Sequence, residues 1–199
     1  MARNGKQEIG ILAVQGDFAM HAQMFDRIGR SWKLIKRSED LQEASGLVLP
    51  GGESTTILKF LTEEGLGPAI QDFAATGKPV FGTCAGAILL ARELLNPPQP
   101  SLGLMDLAVE RNAYGRQIDS AVRQGECPEL ASKPIEMVFI CAPIIRRVGS
   151  GVRVLGTAGG LPVLVEQGNL LAATFHPELT RDETIHRYFL GKVADRSNG

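Results

Sequence analysis
A chain of 199 residues, 44% hydrophobic and 22% charged, suits one α/β domain with a real core, or at most two small ones. A net charge of −1 and a pI near 6.3 leave no basic footprint, so nucleic acid is not an expected partner. Three widely spaced cysteines without a CxxC pair argue against a disulfide framework or a zinc site, and fit a reducing, cytosolic compartment.

The opening MARNGKQE is polar and carries no apolar signal region. No stretch approaches ~20 uninterrupted apolar residues, so no membrane association is expected. The organisation this suggests is a flexible segment at 1–8, one domain at 9–194 and a flexible tail at 195–199.

In chain order, Glu8–Gln15 (EIGILAVQ) is an apolar run of strand length, as in a strand covered on both faces. Asp17 is placed to cap a helix over FAMHAQMFDRIG that ends at Gly29. Trp32–Lys36 reads as a second strand, Ser38–Ala44 as a short connector helix and Gly46–Leu49 as a third strand closed by Pro50-Gly51-Gly52. Helices are predicted over Glu53–Leu61 and Gly67–Ala75. This order predicts a mainly parallel sheet with helices on both faces, a three-layer α/β sandwich. In such sheets ligands bind beyond the carboxyl ends of strands, where Gln15, Gly51-Gly52 and Cys84 all fall.

Lys78–Leu95 (KPVFGTCAGAILLARELL) organises the rest. It reads as a strand over Pro79–Thr83, a sharp turn at Cys84, and a helix through AGAILLAREL with Arg92 and Glu93 on its wet side. Gly82 and Gly86 flank the cysteine at two positions either way, the G-x-nucleophile-x-G pattern of a nucleophile elbow. Such a turn lifts the side chain above the sheet edge, beside a helix N-terminus whose partial positive charge favours thiolate. A buried structural cysteine in a βα unit is the plain alternative.

After the extended loop Asn96–Ser101, short apolar segments separated by turn residues suggest antiparallel pairing. These are LMDLAVER, QIDSAVRQ, IEMVFICA, VRVLGTA, LPVLVEQ and NLLAATF, with a hairpin turn at Gln167-Gly168-Asn169. Thr180–Glu183 reads as a capping box for the last helix, and the final DRSNG as a fraying end. His21 and His186 fall on helical patterns and are expected at the surface or as caps. Cys127 is expected in a loop, and Cys141 packed at the end of an apolar strand.

Two further motifs bear on chemistry. In Phe175-His176-Pro177-Glu178 the proline biases His176 toward an extended conformation, and in an extended segment residues i and i+2 point the same way. Glu178 would then orient the His176 ring as base for Cys84, against the plain reading of a strand-end histidine and a solvated carboxylate. In Leu49–Ser54 (LPGGES), a Gly-Gly turn entering a helix presents backbone N–H groups to an anion. The amides of Gly52 and Ala85 can then make an oxyanion hole, against the plain reading of an ordinary glycine turn with Ser54 or Glu53 capping the helix. Arg111, on a loop after a strand, has the planar fork to bind a substrate carboxylate, with Glu53 taking an α-ammonium, against the plain reading of a solvated loop arginine. No metal site and no cofactor are expected.

PGGES, GTCAG and FHPEL, in this order and spacing, resemble the class I glutamine amidotransferases, whose fold is flavodoxin-like. Within that class the chain is most similar to the glutaminase subunits of pyridoxal 5′-phosphate synthase (the PdxT/SNO family). That rests on ILAVQGDFAMH, LPGGESTT, FGTCAGAILLA, VERNAYGRQIDS, VFICAP and ATFHPELT. The resemblance implies hydrolysis of L-glutamine by Cys84, His176 and Glu178. Glutamine would be bound among Gln15, Gly52, Glu53, Ser54, Arg111, Ile140 and Cys141. It also implies a partner synthase subunit that condenses the ammonia with ribose 5-phosphate and glyceraldehyde 3-phosphate, in an assembly of up to about twelve copies of each. One departure stands out: the family usually has Arg where this chain has Cys141, so a side-chain contact there is lost. Two other readings stay open, a glutaminase serving another acceptor synthase and a regulatory module using Cys84 as a redox sensor.

Overall fold
The computed structural model describes residues 8–111 and 121–197. Most of the VERNAYGRQIDS segment, from Asn112 to Ser120, lies outside the described residues.

The chain opens with β1 (Glu8–Leu12), α1 (Phe18–Ile28), β2 (Trp32–Ile35) and β3 (Ala44–Leu49). Gly29 closes α1 in the left-handed conformation its sequence position calls for, its N–H bonded to the Asp26 carbonyl. The connector expected as a helix is a single 3-10 turn at Ser38–Leu41, so β3 begins at Ala44 rather than Gly46. Next come α2 (Ser54–Glu63), α3 (Leu66–Ala75), β4 (Val80–Thr83) and α4 (Ala85–Leu90).

Here the expected long helix is corrected: α4 ends at Leu90, and Ala91–Leu95 forms a strand, β5. The returning loop satisfies the last carbonyls in place of a further helical turn. Leu102 N–H donates to Leu89 O at 2.9 Å and the Ser101 hydroxyl to Ala91 O at 2.6 Å. Arg92 and Glu93 remain exposed, now on a strand.

The second half supplies β6 (Met105–Glu110), β7 (Ala121–Gly125), β8 (Ile135–Phe139), β9 (Ile144–Val148), β10 (Arg153–Ala158), β11 (Leu161–Gln167), β12 (Leu170–Ala173) and α5 (Thr184–Ser197). β9 was not anticipated. Its sequence IIRRV offers two apolar residues before two arginines, too little alternation to read. The capping box also shifts. Asp182 Oδ1 accepts from Thr184 N–H at 2.8 Å, while Thr180 Oγ1 serves Asp182 N–H, so Asp182 caps α5. That helix runs to Ser197, into the segment expected to fray.

The main sheet has seven strands in the order β10-β11-β12-β4-β3-β1-β2. The block β12-β4-β3-β1-β2 is parallel, and β10-β11-β12 pair antiparallel, with turns at Gly159-Gly160 and Gly168-Asn169. A smaller sheet, β5-β6-β9, and a β7-β8 ribbon complete the strands of the described residues. Strand alternation separates two apolar layers. Leu47, Leu49 and Val80 face a core shared with α2, α3 and α4, whereas Val48 and Phe81 face one shared with α1 and α5. Because β3, β4 and β12 are adjacent and parallel, their carboxyl ends lie side by side. Those ends carry Pro50-Gly51-Gly52, Cys84 and the approach to His176. Among the described residues no helix is long and apolar enough to cross a membrane.

Candidate active site
Cys84 joins β4 to α4 with φ 46° and ψ −102°, a conformation uncommon for any residue with a Cβ. Its N–H is anchored to Ala173 O on β12 at 2.8 Å. The flanking glycines are needed sterically. A Cβ on Gly86 would stand 2.0 Å from the Leu49 carbonyl oxygen, and one on Gly82 would stand 2.5 Å from Gly86 C. The elbow read from GTCAG is therefore present, with strand, turn and helix packed where only hydrogen fits. The cysteine is 6% exposed, and its Sγ lies 3.7 Å from Ile140 O.

His176 follows β12, with its N–H donated to Val138 O on β8 at 2.8 Å. Its Nδ1 lies 2.8 Å from Glu178 Oε1, and the carboxylate is fully buried. The backbone route to this contact differs from the extended one expected. Pro177 opens a 3-10 turn over Pro177–Leu179, because its fixed φ suits the first turn of a helix. Burial opposes charge on His176, but hydrogen bonds to Cys84 and to Glu178 prevail and raise it from 6.5 to about 10. Burial raises Glu178 as well, against the pull of the His176 hydrogen bond. Both shifts express one fact: the buried pair holds a proton, and the imidazole, the stronger base, carries it.

The Gly-Gly turn is held from the β1–α1 loop. Gln15 Oε1 accepts from Glu53 N–H at 2.8 Å, and Gly51 O accepts from Asp17 N–H at 3.1 Å. Gly52 has φ 149°, and a Cβ there would meet Gln15 Oε1 at 2.6 Å. Gly51 makes room for the histidine, since a Cβ would sit 2.3 Å from His176 Cε1. Glu53 caps α2 by accepting from Thr55 N–H, and Ser54 at the start of that helix is buried.

These pieces enclose a cleft of about 340 Å³ lined by Gln15, Asp17, Gly52, Glu53, Ser54, Cys84, Ile88, Arg111, Ile140, Cys141 and His176. Every residue assigned from sequence to the nucleophile, base and glutamine pocket is on that wall except Ala85 and Glu178. Ala85 is buried at the start of α4, and Glu178 stands behind His176. Arg111 Nη2 lies 3.9 Å from Glu53 Oε1, with its side chain 9% exposed. Cys141 corrects an expectation: β8 ends at Phe139, and Cys141 is exposed with φ 45° rather than packed. Cys127 is in a loop as expected, but buried, and burial pushes its thiol up to about 11.

Sequence reasoning missed Asp17, Ile88 and two histidines. Asp17 was expected only as a cap. Its side chain makes no cap hydrogen bond, and Oδ2 lies 3.5 Å from His176 Nδ1. His21 and His186, expected at the surface, are both fully buried. A signal was available, since His21 shares the stripe of Phe18, Ala22 and Phe25 on α1, and His186 that of Phe189 and Val193 on α5.

Known proteins bear on this geometry. The chain of Koribacter versatilis described as pyridoxal 5′-phosphate synthase subunit PdxT is 50% identical over 192 residues, covering 96% of this chain and 98% of that one. The like-named chain of Thermus thermophilus is 51% identical over 184 residues, covering 92% and 95%. A solved structure described as a glutamine amidotransferase superposes with a TM-score of 0.88 at 46% identity, covering 94% and 98%. A GMP synthase subunit from Thermoplasma acidophilum, at 16% identity and a TM-score of 0.73, shares the fold. The SNO glutamine amidotransferase family model matches residues 11–195, and the chain belongs to that family.

Proposed function
We propose that this chain is the glutaminase subunit of a pyridoxal 5′-phosphate synthase, with Cys84, His176 and Glu178 as its catalytic triad. The observation that carries the proposal is the 2.8 Å contact of His176 Nδ1 with Glu178, behind a cysteine held at a strained elbow in the same cleft. Glu178 fixes the ring so that Nε2 is the nitrogen that exchanges protons with Cys84.

The Cys84 sulfur attacks the side-chain carboxamide carbon of L-glutamine, and the oxyanion forms against the amides of Gly52 and Ala85. His176 passes its proton to the departing nitrogen, and the C–N bond breaks to release ammonia and leave a glutamyl thioester. A water then gives a proton to His176 and its oxygen to the thioester carbon, and the C–S bond breaks to release glutamate and leave Cys84 free beside a protonated His176, as at the start. Side chains and backbone amides suffice for each step, so no cofactor is invoked.

Arg111 and Glu53 supply the opposite charges a free amino acid needs, for its carboxylate and ammonium respectively. Gln15 acts through the Gly-Gly turn it holds. Ser54, Ile140 and Cys141 complete the wall. The relatives' description as a synthase subunit supports a partner synthase that takes up the ammonia, and we extend this to a cytoplasmic assembly of up to about twelve copies of each. Sealing the cleft against that partner would keep ammonia from bulk water.

The test is glutamate release from L-glutamine, with and without the synthase subunit. Strong activation by the partner is expected. Turnover indifferent to the partner would move the protein to another acceptor, and no turnover in either case would overturn the reading.

A further inference from the structure
Glu178 uses one oxygen to hold His176. The other, Oε2, is buried and makes no hydrogen bond within the usual limits among the described residues. Facing it is His21 Nε2 on α1, at 3.5 Å, with both side chains fully excluded from solvent. The same nitrogen lies 3.1 Å from Oγ1 of Thr83, the residue before Cys84. On the far side of the ring, His21 Nδ1 lies 3.0 Å from His186 Nε2 on α5. Two histidines and a threonine from three elements thus stand directly behind the triad.

The proton positions follow from this inventory. One of the two rings must donate across the His21–His186 contact, and among the described residues His186 Nδ1 has no hydrogen-bond partner. If His21 Nδ1 carried the proton, Nε2 would turn a lone pair toward a carboxylate oxygen, and His186 would bury an unpaired N–H. If His186 Nε2 carries it, His21 places its own proton on Nε2, aimed between Thr83 Oγ1 and Glu178 Oε2. What remains unpaired is then only an acceptor lone pair on His186, the smaller cost.

We propose that His21 is a positioning residue of the triad, whose Nε2–H fixes the Glu178 carboxylate through its second oxygen and so holds His176 toward Cys84. This rests on the triad reading above. A carboxylate held at one oxygen can swing about its last torsion, and one held at both presents Oε1 to His176 Nδ1 in a fixed direction. The charged surroundings agree. Glu178 faces His176 and His21, with Asp17 near enough to act on it, and His186 feels Arg27. Burial holds both His21 and His186 below the ordinary histidine range, so His21 donates as a neutral ring. His176 itself carries the charge.

The experiment compares wild type, His21→Leu and His21→Gln in complex with the synthase subunit, reading kcat, KM and the pH profile of glutamate release. The nitrogen-15 and proton signals of His176 Nδ1–H are followed by NMR in the full chain alone. Leucine removes the donor, whereas glutamine returns an amide N–H near the place of Nε2. For leucine, kcat is expected to fall about tenfold, because a buried charged oxygen loses the N–H that faces it at 3.5 Å. KM should stay within about twofold, and the acidic limb should move to higher pH, because Glu178 loses a donor that favours its ionised form. Glutamine should restore kcat, the limb and the Nδ1–H signal.

A folded leucine variant with wild-type kcat and acidic limb overturns the proposal. So does a folded glutamine variant as impaired as leucine. If leucine does not fold, His21→Asn replaces it, keeping a polar group toward His186 but falling short of Glu178. If wild type releases no glutamate, the triad reading fails separately, and the NMR signal still decides whether His21 orders the His176–Glu178 pair.

Discussion

His176 Nδ1 and Glu178 Oε1 stand 2.8 Å apart across a 3-10 turn of one proline, with the carboxylate fully buried. That contact sets which nitrogen of the ring faces the sulfur. Glu178→Gln keeps the shape and removes the charge, so His176 loses its counter-ion and its grip on a proton. Glutaminase kcat is expected to drop by about 10²–10⁴, the usual range for disabling general acid–base chemistry. The fold should persist, because an amide oxygen can still accept from Nδ1–H. A Glu178→Gln enzyme within a few-fold of wild type would remove the carboxylate from the mechanism.

Cys84→Ala is expected to abolish glutamate release while leaving circular dichroism and melting nearly unchanged. The side chain lost is small, and its Sγ gives up a long contact to Ile140 O and the one with His176. The backbone strain at φ 46° is common to both residues, since each carries a Cβ. Residual turnover above the uncatalysed rate after removal of the synthase subunit would point to another nucleophile, of which the exposed Cys141 is the nearest candidate.

The elbow could be read from sequence because its constraint is local. Gly82 and Gly86 must be glycine for reasons met within five residues of chain and one neighbouring strand. The His176–Glu178 contact is legible for the same reason, though Pro177 brings it about through a 3-10 turn rather than an extended segment. The end of α4 was not, because AGAILLAREL is equally apolar as a buried helix followed by a strand, and what stops the helix is a loop returning from Ser101 and Leu102. Nor were His21 and His186. They are 165 residues apart, and only packing α1 against α5 makes each the other's partner. Asp17 stands at the N-cap of α1 as its sequence position implies, but its carboxylate makes no cap hydrogen bond and faces His176, which the capping pattern alone does not show.

Gly86→Ala tests the packing of the elbow independently of chemistry. Its added Cβ would lie 2.0 Å from a backbone oxygen of β3, which cannot swing aside as a flexible side chain does. A loss of more than ~3 kcal/mol of stability, or failure to fold, is expected. Gly151→Ala meets nothing within 4 Å and serves as the control, within about ±0.5 kcal/mol of wild type in urea unfolding. Equal stability of the two variants would show that the strand–helix approach at Gly86 is looser than described.

The buried imidazoles make stability depend on pH in a defined direction. Burial, with Arg27 adding to it, lowers His186 from 6.5 to about 3, and burial foremost lowers His21 too. A depressed folded pKa favours the neutral ring, so this stabilisation is complete above about pH 6.5 and is lost as pH falls toward 3. Each histidine protonated only on unfolding contributes a slope of about 1.4 kcal/mol per pH unit inside that window. His186→Phe should therefore lower stability at neutral pH, by orphaning His21, yet flatten the decline from pH 6.5 to 4 measured by urea midpoints. An unaltered slope would mean that His186 is not the group taking up a proton.

Arg111 and Cys141 decide how tightly glutamine is held. Arg111 lines the cleft with a nearly buried side chain, 3.9 Å from Glu53, which suits a pair of charges that separate to receive an ammonium and a carboxylate. Arg111→Ala should raise KM for glutamine about 10–100-fold, the cost of a lost charge-assisted hydrogen bond, and lower kcat much less. That split follows if the carboxylate is gripped equally in ground and transition states. Cys141 faces the same cleft from an exposed position. Cys141→Arg would supply a second guanidinium there, and is expected to lower KM without raising kcat. It should also partly rescue Arg111→Ala, because both would serve one carboxylate. Independent effects in the double variant, with no rescue, would place the two positions on different parts of the substrate.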